Sequence, residues 1–254
     1  MTEQSVPRIF SRSRVKSRIL RQNLRAAMPC AQQFIWQDIC DDTAERIAFV
    51  KHEPKRRLVL GMCHDPLRAM LDHCNGDFSD GADWNIEEPF PQGGYDLIAV
   101  VGLLDAVNDL PGALIHIRNG LVPGGLAIAS FVGGASLPRL RAAMLSADGD
   151  RPAARIHPMV DPRAVPQLLQ RAGWKDPVVD THTLTVRYSS LDQLVSDLRD
   201  HGLTGALSNA GPPLGKAALE RARAAFGSQA DADGKTAETF EIITLTGRRS
   251  LSGT

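Results

Sequence analysis

The stretch at residues 95–134, YDLIAVVGLLDAVNDLPGALIHIRNGLVPGGLAIASFVGG, limits what this chain can fold into more than any other. Residues 96–101 are a continuous apolar run of strand length, rich in β-branched and aliphatic side chains, as in a strand buried on both faces of a parallel sheet. Asn108 or Asp109 can cap the helix that follows, and Pro111 falls in its first turn, where a missing N–H costs nothing. Leu110, Ala113, Leu114, Ile117 and Leu121 recur at helical spacing, so this stripe lies on the sheet. Gly120 and the Pro123-Gly124-Gly125 turn end the helix, and residues 126–132 form a second apolar strand. Strand, helix and strand make a right-handed βαβ unit, and ligands of such sheets sit beyond the carboxyl ends of the strands. A pocket is therefore expected at residues 101–105.

The order of an apolar strand at YDLI, a helix opened by VNDLP, a PGG turn and another apolar strand resembles class I S-adenosylmethionine (SAM) dependent methyltransferases. The segments VNDLPGAL, IRNGLVPGGL, GGASLPRLR, LLQRAGWKDPVVDTHTLTVRY and ETFEIITLTG are similar, in this order, to the complex I assembly factor family with a methyltransferase fold. That family is related to the malonyl-carrier-protein methyltransferases of biotin synthesis. The likeness runs over residues 9–247. It implies a Rossmann-like class I α/β fold, with a mostly parallel central sheet, an antiparallel edge hairpin and a helical insertion. It also implies SAM as cofactor, bound through Gly61, Cys63, Asp83, Trp84, Gly102 and Leu103.

The 254 residues exceed the usual ~150-residue domain, yet α/β folds of roughly 200–250 residues form single domains. Expected divisions are a basic arm with helices at 1–50, an α/β domain at 51–247 with a helical lid at 189–230, and a disordered tail at 248–254. Lysine plus arginine equals aspartate plus glutamate at 29 each, so the whole molecule has no electrostatic reason to seek nucleic acid or anionic membrane. Four cysteines at irregular spacing, with no secretory segment and no apolar run near ~20 residues, point to a reducing compartment, the cytoplasm.

The arm carries Arg8, Arg12, Arg14, Lys16, Arg18, Arg21 and Arg25, with Glu3 as the one preceding acid. Three readings stand beside each other: a transit peptide, a solvated helix packed loosely on the domain, or a contact for an acidic partner protein. Under the last, the arm serves partner binding rather than the core. Residues 34–50 read as a second helix or a broken pair, and 57–61 as the first strand. In the family this strand feeds a glycine-rich loop that lets the backbone approach the cofactor. Here the loop reads Gly61-Met62-Cys63-His64-Asp65-Pro66, in which Gly61 alone remains, before a helix over 67–73.

Residues 62–95, 34 in number, separate Gly61 from Asp96, where a full methyltransferase needs two strands and two crossover helices. With ~10–12 residues as the minimum for one crossover, one helix is expected to be lost. Asp77 and Asp80 are candidates for the ribose-binding acid, or turn residues. Trp84 either stacks on an adenine or packs, and packing is the commoner fate of a large aromatic. Cys63, His64, His73 and Cys74 form a symmetrical pattern, but adjacent residues rarely reach one ion, so no metal site is expected.

Later elements are a helix over 136–145, in which Arg139 replaces the family's acid, and a helix started by Asp161-Pro162. Two long strands over 178–188 and 239–245 flank helices at 190–198 and 214–226, which could lid the pocket. No catalytic set is visible. His116 and His182 lack a partner acid in the sequence, and Asp105-Ala106 stands where the family has histidine and tryptophan. A carboxylate there either orients a cationic substrate such as an arginine side chain or simply flanks a helix. Two functions remain in view. One is SAM-dependent methyl transfer, or hydroxylation of an arginine, on a protein substrate. The other is a non-catalytic assembly or scaffold protein of the same fold.

Overall fold

The computed structural model describes residues 8–251. Two helices come first, α1 (Arg12–Ala26) and α2 (Phe34–Phe49), followed by β1 (Arg56–Gly61), α3 (Leu67–Leu71) and β2 (Asn75–Ser79). The unit β3 (Tyr95–Val101), α4 (Leu110–Gly120) and β4 (Leu121–Gly133) stands at the centre. Then come α5 (Pro138–Asp148), α6 (Val165–Arg171), β5 (Trp174–Tyr188), α7 (Leu191–Asp200), α8 (Lys216–Gly227) and β6 (Thr236–Arg249). One sheet runs in the order β2-β1-β3-β4-β6-β5. Strands β2, β1, β3 and β4 are parallel, and β6 pairs antiparallel with both β4 and β5.

The period of two along a strand divides the core. Val59, Leu97, Ala99 and Val101 face one layer, with Ile35, Ile39 and Ile47 of α2 and Leu194 of α7. Leu58, Leu60, Ile98 and Val100 face the other, with Ala113, Leu114 and Ile117 of α4 and Leu169 of α6. The cap of α4 is Asp109, whose Oδ1 accepts the Gly112 N–H at 2.9 Å. Each fully buried aliphatic side chain contributes about 1.5–3 kcal/mol, and this two-sided burial fixes the register of β1, β3 and β4 as neighbours.

Several expectations need correction. The interval between β1 and β3 holds one helix and one strand, so a strand is missing as well as a helix, and residues 80–94 form only turns and bends. Strand β4 takes in the Pro123-Gly124-Gly125 turn as a bulge: Tyr95 lies opposite Leu121, but Leu97 lies opposite Leu126. Helix α3 stops at Leu71 rather than His73. Asp161 does not open a helix directly; its Oδ1 accepts the Arg163 N–H at 2.9 Å in a local turn, and α6 begins at Val165. Strands β5 and β6 are longer than expected because they pair along nearly their whole length, from Trp174↔Arg249 to Tyr188↔Thr236. Arg248 and Arg249 of the expected tail belong to β6, and residues 252–254 lie outside the described residues, as do residues 1–7 of the arm.

The arm shows the largest departure. Helix α1 is not loosely packed: Arg18, Ile19 and Gln22 are buried along one face, and Phe10 just before it is buried too. Phe10 bridges to Leu207, Ser11 N–H donates to the Ala206 carbonyl at 3.0 Å, and Ser208 N–H donates to the Ile9 carbonyl at 2.8 Å. The start of the chain is thereby stitched to the segment after α7. No described helix is long and apolar enough to cross a membrane.

Candidate functional site

The sheet reverses its strand order between β1 and β3, and Gly61 pairs with Val101 at their carboxyl ends. This switch point is where such sheets bind ligands. Gly61 has φ +100°, and a Cβ there would stand 1.8 Å from the Val101 carbonyl oxygen. The glycine is therefore required by the sheet itself, whatever the loop binds.

The loop after Gly61 is tied to α2. Cys40 Sγ accepts the His64 N–H at 3.3 Å and lies 3.5 Å from the Met62 carbonyl. Burial pushes the Cys63 thiol up to about 12 and the Cys40 thiol up to about 11, so both are neutral and unreactive. His64 is held below its usual range by burial. Gly102 follows β3 at φ +71°, and a Cβ there would meet the Trp36 ring at 2.6 Å. Trp36 is fully buried against this glycine, with its indole N–H unpartnered. Leu103 packs on Gly81 in the same way, 2.6 Å from where a Cβ of Gly81 would lie.

Helix α1 covers the rest of the groove. Arg18 forms a bidentate pair with Asp105, Nη1 to Oδ2 at 2.8 Å and Nη2 to Oδ1 at 2.9 Å. Their side chains are 3% and 0% exposed. Asp105 sits in a 3-10 turn (Leu104–Ala106) directly beyond β3. His157 Nε2 lies 3.8 Å from Asp105 Oδ2. Burial lowers the His157 pKa, Asp105 acts upward on it and Arg18 downward, which leaves a neutral ring. Phe10 meets that ring edge to face at 5.6 Å. Asp80, just beyond β2, accepts from Asn23 of α1 at 2.5 Å and from the Ala82 N–H at 2.8 Å. Lys16 pairs with the exposed Asp83 at 2.5 Å.

Trp84 stacks edge to face on Phe90 at 5.2 Å and packs beside Phe10, Val15 and Ile19. The space left between them is about 50 Å³, against roughly 300–1,000 Å³ for a small-molecule site. In this arrangement side chains of α1 fill the groove, and the carboxylates of Asp80 and Asp105 are engaged by Asn23 and Arg18.

The structure thus brings Gly61, Cys63, Gly102 and Leu103 to the carboxyl ends of β1 and β3, with Trp84 at the edge of the groove and Asp83 on its surface. It separates the histidines singled out from the sequence. His116 is half-buried on α4 with no acid bonded to it among the described residues, whereas Nε2 of His182, on strand β5 at the sheet edge, lies 2.7 Å from Oδ2 of Asp38 on α2. Arg18, Trp36 and His157 went unrecognised as groove residues. Only Arg18 left a trace, as one of seven basic residues of the arm. No set of three or more His, Cys, Asp or Glu among the described residues is arranged to hold a metal ion.

Comparison with known proteins agrees with the fold. Rat arginine-hydroxylase NDUFAF5, mitochondrial, is 30% identical over 163 residues, which are 63% of this chain and 48% of the relative. Malonyl-[acyl-carrier protein] O-methyltransferase 1 of Coxiella burnetii is 36% identical over 118 residues, 46% of this chain and 40% of that protein. The chain spans about half the length of the curated relatives it matches, or less. A Bacillus halodurans protein solved as a candidate methyltransferase superposes with a TM-score of 0.51 at 12% identity, over 82% of this chain and 98% of that one, a likeness of fold alone. Residues 22–178, more than half of the chain, match the methyltransferase domain family, and the chain belongs to that family.

Proposed function

We propose that this protein is a non-catalytic member of the methyltransferase family that acts as an assembly or scaffold protein. The observation that carries this reading is helix α1 laid across the switch-point groove with Arg18 locked on Asp105. Cofactor binding there would require α1 to leave and a buried ion pair to break, which costs about 3–5 kcal/mol before any ligand contact is made. Gly61, Cys63, Asp83, Trp84, Gly102 and Leu103 are the positions where an ancestral cofactor site is sought. In this chain they carry packing, apart from Asp83, which anchors Lys16. The exposed arginines of α1 and the family's complex I assembly factors favour a protein partner. The described cysteines are unpaired, which suits a reducing compartment such as the cytoplasm.

A second reading has an observation of its own. Asp105 already grips a guanidinium in bidentate geometry, and the relative named an arginine-hydroxylase acts on arginine. In that reading Arg18 withdraws, Asp105 holds a substrate arginine, and SAM enters the vacated groove. Thermal unfolding in ~1 mM SAM separates the two. A ~10 μM site would be saturated a hundredfold and would gain ~2.7 kcal/mol, or roughly 5–10 °C for a chain of this size. The expected shift is near zero. A shift of that size, with one SAM per chain by calorimetry, would overturn the non-catalytic reading.

A further inference from the structure

Beside His157 the structure leaves a cavity of about 190 Å³ between α5, α7 and the segments around 154–157 and 203–210. Leu137, Leu140, Leu198 and Ala206 form its buried floor, while Thr204 and Ala210 stand at a mouth open to solvent. Its lining is mostly apolar, with Arg155, His157 and Thr204 as the polar exceptions, and an apolar cavity of ~150 Å³ holds benzene. The larger volume here suits an alkyl chain of about eight carbons.

A second recess of about 90 Å³ adjoins it, sharing Met144, Ala154, Arg155 and Ile156 as walls. Two cations and one acid line this recess. Arg155 is consumed by Asp148, which it binds at 2.6 and 3.1 Å, and Asp148 also accepts the Ala153 N–H at 3.0 Å. Arg141 is different: it is exposed and makes no ion pair or side-chain hydrogen bond among the described residues. A solvent-facing guanidinium with no ion-pair partner among the described residues therefore stands in the recess that adjoins the apolar cavity.

We propose that the two spaces form one site for a single-chain anionic amphiphile, with the alkyl tail in the cavity and the anionic head on Arg141. A neutral apolar ligand would leave Arg141 unused. A nucleotide would find neither ring-stacking surface nor phosphate cradle, and its bulk exceeds the cavity. His157 borders both this cavity and the groove under α1, but Arg141, Leu137, Leu140 and Leu198 do not line that groove, so the proposal does not depend on whether SAM binds.

The test is calorimetric titration of the full chain with straight-chain carboxylates from butanoate to dodecanoate, with octanol as the uncharged control. Each methylene should tighten binding about fourfold, following ~0.8 kcal/mol per buried CH₂, until the tail reaches about eight carbons, where affinity levels off. Octanoate should bind about tenfold tighter than octanol, and Arg141→Ala should abolish that difference without moving the melting temperature. Val195→Phe, which fills the cavity, should abolish binding of both, and Ala210→Phe at the exposed mouth gives the same readout should Val195→Phe fail to fold. Absence of saturable binding overturns the proposal. So does affinity that is still climbing at twelve carbons, or binding that neither the filling variants nor Arg141→Ala changes.

Discussion

Replacing Arg18 by methionine keeps an unbranched apolar stem but removes the guanidinium and strands the Asp105 carboxylate, which has 0% side-chain exposure. Removing one partner of a buried pair costs about 3–5 kcal/mol, a large part of the roughly 5–15 kcal/mol that holds a domain together. At about 2–4 °C per kcal/mol for a chain of this size, the melting temperature should fall by roughly 6–20 °C. Asp105→Leu alone should cost about as much, through the stranded guanidinium. The double variant should recover most of the loss, because an apolar pair of similar volume fits the same space, and the coupling energy should exceed ~2 kcal/mol. His157, 3.8 Å from Asp105, adds a pH signature. Arg18 holds its pKa down, so without Arg18 the folded state binds protons more readily, and the penalty should shrink as pH falls from 8 to 5.5. Urea titrations of the four proteins at two pH values measure all of these terms. An Arg18→Met variant that melts within 2 °C of the parent, or a double variant no better than the singles, would refute the view that α1 is anchored through this pair.

Other consequences are equally open to test. His201 is buried and its pKa is lowered to about 4 by burial, while Nε2 accepts the Ile35 N–H and caps α2. A depressed histidine stabilises above its unfolded pKa of about 6.5, so stability should drain by roughly 3 kcal/mol between pH 6.5 and 4, and His201→Gln should flatten that slope in denaturant titrations. Leu114 is fully buried on α4, so Leu114→Asp should leave no cooperative melt; a soluble, cooperatively folded variant would contradict the packing of α4 on the sheet. Gly102→Ala forces a Cβ to 2.6 Å from Trp36 at positive φ and should cost about 1–3 kcal/mol, part of which Trp36→Leu should restore. Cys30 is the exposed cysteine, whereas burial raises the thiol pKa of Cys40, Cys63 and Cys74. Native protein should therefore show one fast thiol towards an aromatic disulfide reagent, and a second fast thiol would mean that the loop at 61–66 opens.

What could be read from the sequence follows the range of the forces involved. The central βαβ unit announced itself because periodic burial and the Asp109, Pro111 and Gly120 signals are local. The shortened section between β1 and β3 was visible by counting residues, although counting pointed to a lost helix and not to the lost strand beside it. The groove was not legible. Arg18 and Asp105 are 87 positions apart, Ile35 and His201 are 166 apart, and a side-chain pair at such separation leaves no periodic trace in either segment. One basic residue among seven in the arm looked the same as its neighbours, and only tertiary packing distinguishes the buried one. Trp36 likewise carries no signal of its own in the sequence, and only the fold sets its ring over Gly102 at the end of β3.

The stitching of the arm to the end of α7 carries a consequence for how the molecule is made. Arg25 binds Asp200 at 2.5 Å, the Gln32 N–H donates to Asp200 at 3.1 Å, the Ile35 N–H donates to His201 at 3.2 Å, and Ser208 binds the Ile9 carbonyl at 2.9 Å. These partners lie 166–199 positions further along the chain. A ribosome adding about 5–20 residues per second takes on the order of 10–40 s to reach them. For that interval Phe34, Ile35 and Trp36 have left the tunnel without the residues that will cap and cover them. Residues 9–36 are thus synthesised well before the residues that secure them, and a chain stalled before residue 200 presents an apolar helix start to whatever chaperone or protease finds it.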